Sequence, residues 1–223
     1  MTGRDPDAQA RRLASESLAA GDSTGWFERL YAAAAAGEAT VPWSRGEPNR
    51  FLVEWTERLD RTPRRRRDGH DQRAIVVGCG FGDDAEHIAG LGFDTTAFDV
   101  APGAVRAARQ RFPDSAVHYG TADLLNLPAE WRHAFDLVVE SLTVQSLPPP
   151  LHRQAIEAVA GLAAPGGTLL VIAAAREEGE QVEGPPWPLT PAEIDAFAAD
   201  GLNPVQMERL ADGPRWRVEF QRP

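Results

Sequence analysis

The feature that most constrains the fold is a glycine-rich turn between two apolar segments within residues 74–100. Residues 74–77 are apolar and mostly β-branched, which is typical of a buried parallel strand. Three glycines follow at alternate positions and let the backbone turn sharply into a helix: Gly78, Gly80 and Gly82. A second strand is predicted over residues 95–98 and ends at Asp99, about 20 residues after the glycines, where a βαβ unit presents a carboxylate to ribose hydroxyls. The segment therefore predicts a nucleotide-type binding unit.

The spacing of these glycines distinguishes two classes of ligand. A dinucleotide-binding loop has its third glycine one position later, where this chain has Asp83. Asp83 and Asp84 suit the start of a helix, whereas a pyrophosphate would compete for the same N–H groups and meet two like charges. S-adenosylmethionine has no phosphate. The loop therefore favours S-adenosylmethionine over NAD, and a purely structural βα turn is the third interpretation.

Composition limits the partners that are expected. The 223 residues include 33 acidic and 23 basic side chains, for a net charge of −10, and this balance is expected to repel nucleic acids and anionic membranes. Cys79 is the single cysteine and the five histidines lack metal-ligand spacing, so neither a disulfide nor a metal is expected. No 18-residue apolar run or signal peptide is found, so the expected location is the cytoplasm. The predicted partner is a small molecule, and the oligomeric state is left open.

Three parts are predicted along the chain. Residues 1–22 are expected to form a flexible N-terminal arm with a helix over 8–20. Residues 23–68 are expected to form a helical lid, and residues 69–223 an S-adenosylmethionine-binding domain. Within the lid, a turn-rich stretch at 41–49, here called the lid loop, carries Trp43 at its centre and is either a binding loop or plain packing.

An arginine-rich run at 61–67 invites comparison with nucleic-acid-binding segments. It lies in a loop with proline and glycine, has no interleaved aromatic residues and belongs to an acidic protein. The run is therefore interpreted as a solvated connector.

Beyond the central unit, apolar runs predict further strands and helices. The predicted strands cover 116–119, 135–140, 168–174, 204–210 and 215–221. The predicted helices cover 102–111, 151–163 and a segment from the capping residue Thr190 to near Asp200. Together these elements predict an α/β fold: a doubly wound, Rossmann-like, seven-stranded, mostly parallel sheet with helices on both faces and an antiparallel last strand.

Five stretches carry a resemblance to a known family: residues 76–82, Asp99, Asp123 with Leu124, residues 135–140 and residues 165–170. Together they resemble the class I S-adenosylmethionine-dependent methyltransferases from residue 74 to the C-terminus. The resemblance implies the strand order 3-2-1-4-5-7-6, S-adenosylmethionine as cofactor and S-adenosylhomocysteine as product.

The resemblance also implies which residues bind the cofactor. They are Gly78, Cys79, Gly80, Gly82, Asp99, Val100, Asp123, Leu124 and Glu140. Asp123 would accept hydrogen bonds from the adenine amino group, although it also suits the start of the next turn. Many members have an acid two residues before the first loop glycine, where this chain has Val76, so Glu140 or a main-chain carbonyl is expected to substitute.

A narrower resemblance points to the small-molecule branch that includes thiopurine, thiol and tellurite methyltransferases. Its carriers are the N-terminal helix, the lid loop, Glu140 with Ser141, and residues 184–187. The substrate-binding residues that it implies are Tyr31, Trp43, Arg45, Ser141, Gln145 and Trp187.

No residue is assigned as catalytic. Methyl transfer from a sulfonium depends mainly on in-line positioning in a dry pocket, and His87, His118 and His133 are interpreted as structural. A thiol acceptor ionises near neutral pH without a base, which favours S-methylation. The alternatives are N- or O-methylation of a natural product and a non-catalytic S-adenosylmethionine-binding module. An NAD oxidoreductase and a nucleic-acid base methyltransferase are less favoured, the latter because no Asn-Pro-Pro-Tyr type clamp follows the fourth strand.

Overall fold

The computed structural model describes residues 5–60, 69–210 and 213–223. Within these residues the chain forms seven α-helices and seven strands, with short 3-10 turns between some of them. The helices are α1 (Pro6–Ala19), α2 (Gly25–Ala35), α3 (Arg50–Asp60), α4 (Asp83–Gly90), α5 (Pro102–Arg111), α6 (Pro149–Ala160) and α7 (Pro191–Asp195). The strands are β1 (Arg73–Val77), β2 (Asp94–Asp99), β3 (His118–Thr121), β4 (Phe135–Ser141), β5 (Ala163–Ala174), β6 (Asn203–Leu210) and β7 (Arg215–Gln221).

The strands form one sheet in the order β3-β2-β1-β4-β5-β7-β6. Strands β1 to β5 pair in parallel, whereas β7 is antiparallel to both β5 and β6. The predicted fold class and strand order are therefore confirmed. One consequence concerns the site: the carboxyl ends of β1 to β5 meet at one edge of the sheet, and the reversed strand β7 begins at that same edge.

Apolar side chains cover both faces of the sheet. On one face, Val138 and Leu169 belong to a cluster that includes residues of α6 and α7. On the other face, Val139 and Leu170 pack with residues of α3, α4 and α5. Because neighbouring residues on a strand point to opposite faces, burial on both sides requires the continuous apolar runs seen in the sequence.

The N-terminal helices form a third cluster beside the sheet. Leu13 of α1 packs with Trp26 and Leu30 of α2, and all three are buried. Glu28 of α2 accepts a hydrogen bond of 2.6 Å from the main-chain N–H of Gly103, at the start of α5. The helix predicted over 8–20 thus corresponds to α1. The mobility of the arm and the division at residues 22 and 68 stay predictions, and the arginine run at 61–67 lies outside the described residues.

Some boundaries differ from those predicted. The third strand begins at His118 instead of residue 116. The capping box predicted at Thr190 is present, with Thr190 and Glu193 each accepting a hydrogen bond from the other's main-chain N–H. Helix α7 nevertheless ends at Asp195, because the chain continues as a 3-10 turn in which Asp200 has a positive φ of 54°. In the part of the chain that the structure describes, no helix has the length and apolar character needed to cross a membrane.

Candidate functional site

A cavity of about 410 Å³ lies along the carboxyl edge of the sheet. It is bounded by the glycine loop after β1, by the ends of β2, β4 and β5, by residues 42–45 and 47–51 and by Pro185 and Pro186. Twelve of the predicted site residues line it: Gly78, Cys79, Gly80, Asp99, Val100, Asp123, Leu124, Tyr31, Trp43, Arg45, Ser141 and Gln145. The structure therefore brings together residues that are far apart in the sequence.

The glycine loop adopts a shape that other residues would not fit. Gly78 has a φ of +62°, and an added Cβ would lie 2.3 Å from Oγ1 of Thr143, which donates a hydrogen bond of 2.9 Å to the carbonyl of Val77. Gly82 has a φ of +92°, and an added Cβ would lie 2.4 Å from the hydroxyl oxygen of Tyr119. Both positions need glycine because of backbone conformation and close packing.

Asp99 joins the end of β2 to this loop. Its Oδ2 accepts a hydrogen bond of 3.0 Å from the main-chain N–H of Gly80, and its Oδ1 accepts one of 2.9 Å from that of Ala101. Only 6% of Asp99 is exposed, and this burial raises its pKa to about 6 despite the main-chain donors, which lower it. Each carboxylate oxygen retains a further lone pair, so the side chain can accept hydrogen bonds from a ligand's hydroxyls.

Asp123 has both of the roles that the sequence left open. Its Oδ1 accepts a hydrogen bond of 2.9 Å from the main-chain N–H of Leu125, which begins a 3-10 turn, and the residue also lines the cavity with Leu124.

The lid loop is attached to the rest of the site at two points. Nε1 of Trp43 donates a hydrogen bond of 3.1 Å to the hydroxyl of Tyr31, and the Trp43 ring lies 6.3 Å from that of Phe27. At the other end, the main-chain N–H of Asn49 donates to Oδ1 of Asp84 over 2.6 Å, and its Nδ2 donates to Oγ of Ser141 over 3.0 Å. These contacts hold the loop across the cavity.

The two acids at the start of α4 are both engaged. Asp83 forms two hydrogen bonds with Arg111, of 2.7 and 2.8 Å. Asp84 is half-buried and hydrogen-bonded to Asn49 and Ser141, and its partial desolvation raises its pKa. Two carboxylates therefore stand at the helix end where a pyrophosphate would bind.

Three predicted site residues do not line the cavity: Gly82, Glu140 and Trp187. Glu140 is fully buried beneath the site, where its Oε1 accepts hydrogen bonds of 2.8 and 2.9 Å from the main-chain N–H groups of Thr143 and Val144. Its other oxygen has no partner, and burial raises its pKa to about 7. Glu140 points to the face opposite Ser141 because neighbouring strand residues alternate, so it braces the turn at Thr143 and Val144 and does not line the cavity.

Trp187 contributes to the site indirectly. Its main-chain N–H donates a hydrogen bond of 2.7 Å to the carbonyl of Gln145, while its ring packs close to Gly184. The prolines beside it, Pro185 and Pro186, take the place at the cavity that the sequence predicted for the tryptophan.

Three residues that line the cavity were not predicted from the sequence to belong to the site: Arg50, Phe51 and Arg215. Arg215 is the first residue of the last strand. The sequence predicted that this strand is antiparallel, but not that its first residue lies at the cavity. Arg50 and Phe51 begin α3, and their aromatic and apolar neighbours on that helix predicted packing only.

The histidines lie elsewhere. His87 contacts Thr56 at 2.9 Å, and His133 contacts Asp200 at 2.7 Å. No histidine is found among the described residues that line the cavity, and those residues include no cluster suited to a metal ion.

The strand order, the glycine turn and the carboxylate at the end of β2 define a nucleotide-type α/β binding fold. Residues 74–167 match the family described as "Methyltransferase domain". Over these residues the chain is similar to methyltransferase domains, and its fold is that of the class I, S-adenosylmethionine-dependent methyltransferases. The cofactor of this class is S-adenosylmethionine, as predicted.

Curated relatives match over the central part of the chain. The ubiquinone biosynthesis O-methyltransferase of Xanthomonas campestris pv. campestris (strain B100) is 39% identical over 101 residues, which are 44% of this chain and 41% of the relative. The protein of the same name from Xanthomonas axonopodis pv. citri (strain 306) is 37% identical over 101 residues, with the same coverage. The match thus spans less than half the length of these relatives.

Solved structures resemble a larger part of the chain. A protein studied for the conversion of a disulfide bond into a thioacetal group during echinomycin biosynthesis has a TM-score of 0.68 and 20% identity, and covers 88% of this chain and 91% of its own. A TehB-like SAM-dependent methyltransferase from Corynebacterium glutamicum ATCC 13032 Kitasato has a TM-score of 0.58 and 17% identity, with coverages of 89% and 96%. At such identities the likeness shows the fold alone, and the thiol, thiopurine and tellurite branch stays a prediction.

Proposed function

We propose that this chain transfers a methyl group from S-adenosylmethionine to a small-molecule acceptor, and that the accepting atom is a thiol sulfur. The observation that carries the proposal is the cavity in which the glycine loop and Asp99 lie beneath an aromatic lid loop.

The residues at one end of the cavity suit the cofactor. Gly78, Cys79 and Gly80 leave room beside the main chain for the methionine part. Asp99 offers acceptor oxygens to the ribose, and Asp123 offers them to the adenine amino group. When bound, S-adenosylmethionine supplies an electrophilic methyl group on a sulfonium.

The chain's own contribution is positioning and exclusion of water. Phe27, Tyr31 and Trp43 line the cavity, and so do Pro185 and Pro186. Such walls hold an acceptor in line with the methyl group, and orientation of this kind supplies much of the rate of a bimolecular displacement.

The thiol assignment rests on the two acids at the start of α4, which line the cavity and are already hydrogen-bonded. Asp83 is paired with Arg111, and Asp84 already accepts hydrogen bonds from Asn49 and Ser141. A thiol with a pKa of about 8.5 provides its own thiolate, whereas a phenol at about 10 or an alcohol needs a proton acceptor. The chain's own Cys79 is not the nucleophile, because burial raises its pKa well above the ordinary value.

O-methylation is the second candidate. One observation favours it: Asp84 is a half-buried carboxylate at the cavity whose pKa is raised by desolvation, which is the environment of a general base. The relatives named as O-methyltransferases point in the same direction.

Paired acceptors distinguish these candidates. The protein with S-adenosylmethionine is incubated with thiophenol, phenol and aniline at equal concentrations, and S-adenosylhomocysteine and methylated product are measured by mass spectrometry. S-methylation predicts the highest kcat/KM for the thiol, with no dependence on Asp84. A faster reaction with the phenol overturns the thiol assignment, and tight cofactor binding without turnover on a broad panel overturns the enzymatic proposal.

A further inference from the structure

One end of the cavity lies away from the residues proposed to bind the cofactor. Asp99 and Asp123 lie where β2 and β3 end, whereas the ends of β4 and β5 and the start of β7 form the opposite end, here called the acceptor end. The apolar residues that line the cavity from this side are Phe51, Leu142, Leu147, Ala174, Pro185 and Pro186. In apolar surroundings, a polar group without a partner has a large effect on which ligand binds.

Gln145 is held firmly at the acceptor end. Its carbonyl accepts a hydrogen bond of 2.7 Å from the main-chain N–H of Trp187, and its Oε1 accepts one of 2.5 Å from that of Ala174. The buried Glu140 accepts hydrogen bonds from the two main-chain N–H groups immediately before Gln145 and so holds the turn that carries it. The position of the Gln145 side chain is therefore set before a ligand binds, and little further conformational entropy is lost on binding.

The hydrogen bond from Ala174 decides which way the Gln145 amide faces. A main-chain N–H requires an acceptor, so the amide oxygen must face Ala174 and the NH₂ group must face away from it. Only 5% of Gln145 is exposed, and the residue lines the cavity. Its NH₂ group has no hydrogen-bond partner among the described residues, and it is not sealed inside the protein, since the fully buried polar atoms without a partner belong to Glu140 and Arg217. The NH₂ group therefore borders the cavity.

The hydroxyl groups near Gln145 are already hydrogen-bonded within the chain. Those of residues 141–146 belong to Ser141, Thr143 and Ser146, which bond to the side chain of Asn49, the carbonyl of Val77 and the carbonyl of Leu142, respectively. Ser141 is also hydrogen-bonded to Asp84. In this described segment, the NH₂ group of Gln145 is therefore the side-chain donor that is available to a ligand.

The charges around the cavity favour a neutral partner for this donor. The charged residues among the described lining are Asp7, Arg45, Glu47, Arg50, Asp83, Asp84, Asp99, Asp123 and Arg215, which are six acids and three arginines. Asp83 is paired with Arg111, and Arg50 and Arg215 are already engaged, in part with the ring of Phe51. The acids outnumber the arginines, so an anionic ligand would meet net repulsion whereas a neutral oxygen would not.

We infer that the methyl acceptor carries a neutral carbonyl oxygen, separate from the atom that is methylated, and that the NH₂ group of Gln145 binds it. A carbonyl oxygen accepts such a hydrogen bond without bringing charge into the cavity, and the apolar residues around it suit the remainder of the acceptor. An acceptor without the oxygen would leave the NH₂ group unpaired, which makes Gln145 a specificity-determining residue. The inference rests on the proposed function in one respect, because it assumes that the glycine-loop end holds the cofactor.

The experiment compares three ligands of similar size and shape. The full chain, saturated with S-adenosylhomocysteine, is titrated calorimetrically with acetophenone, with ethylbenzene, which lacks the carbonyl, and with benzoate, which carries a charge. Binding of S-adenosylhomocysteine is measured first and reports on the proposed function alone. The inference predicts that acetophenone binds at least about fivefold more tightly than either of the other two, the effect usual for a buried hydrogen bond.

Turnover provides a second measurement of the same preference. The ratio of kcat/KM for 3-mercaptoacetophenone to kcat/KM for 3-ethylthiophenol is determined for the wild type and for each variant. The acetyl group changes the intrinsic reactivity of the thiol equally for every variant, so a change in this ratio between variants reports on binding of the carbonyl.

Two variants of Gln145 separate its direct role from a structural one. At about pH 8.5, well above the ordinary pKa of glutamate, Gln145→Glu keeps an oxygen for the N–H of Ala174 but has no NH₂ group. Gln145→Met removes both the oxygen and the NH₂ group. Both variants are expected to lose the preference for the carbonyl, which is a fall of about fivefold or more in each ratio. Gln110→Glu, at an exposed position of α5, is the matched control and should keep the preference.

Several results would overturn the inference. In wild-type protein that binds S-adenosylhomocysteine, these are equal binding of acetophenone and ethylbenzene, tighter binding of benzoate, or binding of none of the three. This comparison decides even where a variant fails to fold. A preference that survives in Gln145→Glu would show that Gln145 acts only by holding Ala174, and an equal loss in Gln110→Glu would show that the preference does not depend on Gln145. Failure to bind S-adenosylhomocysteine instead overturns the proposed function.

Discussion

The carboxylate of Asp99 accepts a hydrogen bond of 3.0 Å from the main-chain N–H of Gly80. This contact links the end of β2 to the glycine loop that follows β1, so the side chain that is expected to bind the ribose also holds the loop that is expected to surround the methionine part. The two halves of the cofactor site therefore depend on each other.

Replacing Asp99 is expected to weaken cofactor binding. Asp99→Ala removes the acceptor for ribose hydroxyls and is expected to reduce S-adenosylhomocysteine affinity by about 1.5–3 kcal/mol. It also leaves the N–H groups of Gly80 and Ala101 without their acceptor, so the ligand-free Tm is expected to fall by several degrees, at about 2–4 °C per kcal/mol. Calorimetry and thermal unfolding measure the two effects. Asp94→Asn, at the exposed start of the same strand, is the control, and an unchanged affinity for Asp99→Ala would place the ribose contact elsewhere.

Cofactor affinity is expected to depend on pH through Asp99. Burial raises its pKa to about 6, so the carboxylate, the better acceptor for hydroxyl groups, is lost as the pH falls through that value. Binding of S-adenosylhomocysteine should weaken between pH 7 and pH 5, and titrations across this range measure it. In the Asp99→Asn variant, the pH dependence of S-adenosylhomocysteine binding should disappear. If it persisted, a group other than Asp99 would be responsible for it.

Glu140 is expected to make the folded state less stable as the pH rises. Burial raises its pKa to about 7 in the folded chain, whereas an unfolded glutamate has a pKa of about 4.3. Between these values the folded state binds the proton more tightly, so the stabilisation is present below about pH 4 and is lost as the pH rises through about 7. Relative to Glu140→Gln, the wild type should lose up to about 1.4 kcal/mol per pH unit over this window.

Urea unfolding at pH 5 and pH 8 tests this expectation. Glu140→Gln retains an acceptor for the N–H groups of Thr143 and Val144. Glu130→Gln, on an exposed turn, serves as the control. Parallel behaviour of the wild type and Glu140→Gln would show that Glu140 does not titrate in this range.

The two loop tryptophans are expected to behave differently. Trp43 lines the cavity and is bonded to Tyr31, so Trp43→Ala should lower kcat/KM by about tenfold or more while changing S-adenosylhomocysteine affinity little. Trp187 does not line the cavity, and Trp187→Ala should mainly reduce stability. Paired measurements of turnover, product binding and Tm separate the effects. Equal loss of turnover in both variants would contradict this assignment.

Asp84 distinguishes the two proposed acceptor atoms. If it acts as a base, Asp84→Asn should abolish methylation of a phenol and leave a thiol methylated at a rate close to that of the wild type. Asparagine retains an oxygen to accept from the N–H of Asn49, which limits structural damage to the lid loop. Rates with phenol and thiophenol across pH 6 to 9 provide the measurement. A similar loss for both acceptors would indicate a structural role only.

The central features of the fold follow from local sequence patterns. An apolar β-branched run, a glycine turn and a second strand ending at Asp99 specify the βαβ unit, because burial on both faces and positive φ values leave few alternatives. The capping box at Thr190 is equally local, since its four residues supply both hydrogen bonds.

The acceptor end of the cavity was decided by tertiary structure. Arg215 reaches it because β7 runs antiparallel beside β5, a choice of strand order that joins residues far apart in the chain. Because side chains alternate between the two faces along β4, Glu140 lies beneath the site. The Trp187 ring packs against Gly184, and Pro185 and Pro186 line the cavity instead. Local sequence thus determined where the glycine loop and Asp99 form at the carboxyl edge of the sheet, because turns and strands are short-range structures. Which side chains meet across that edge depends on strand pairing and packing over long separations, which no short segment specifies.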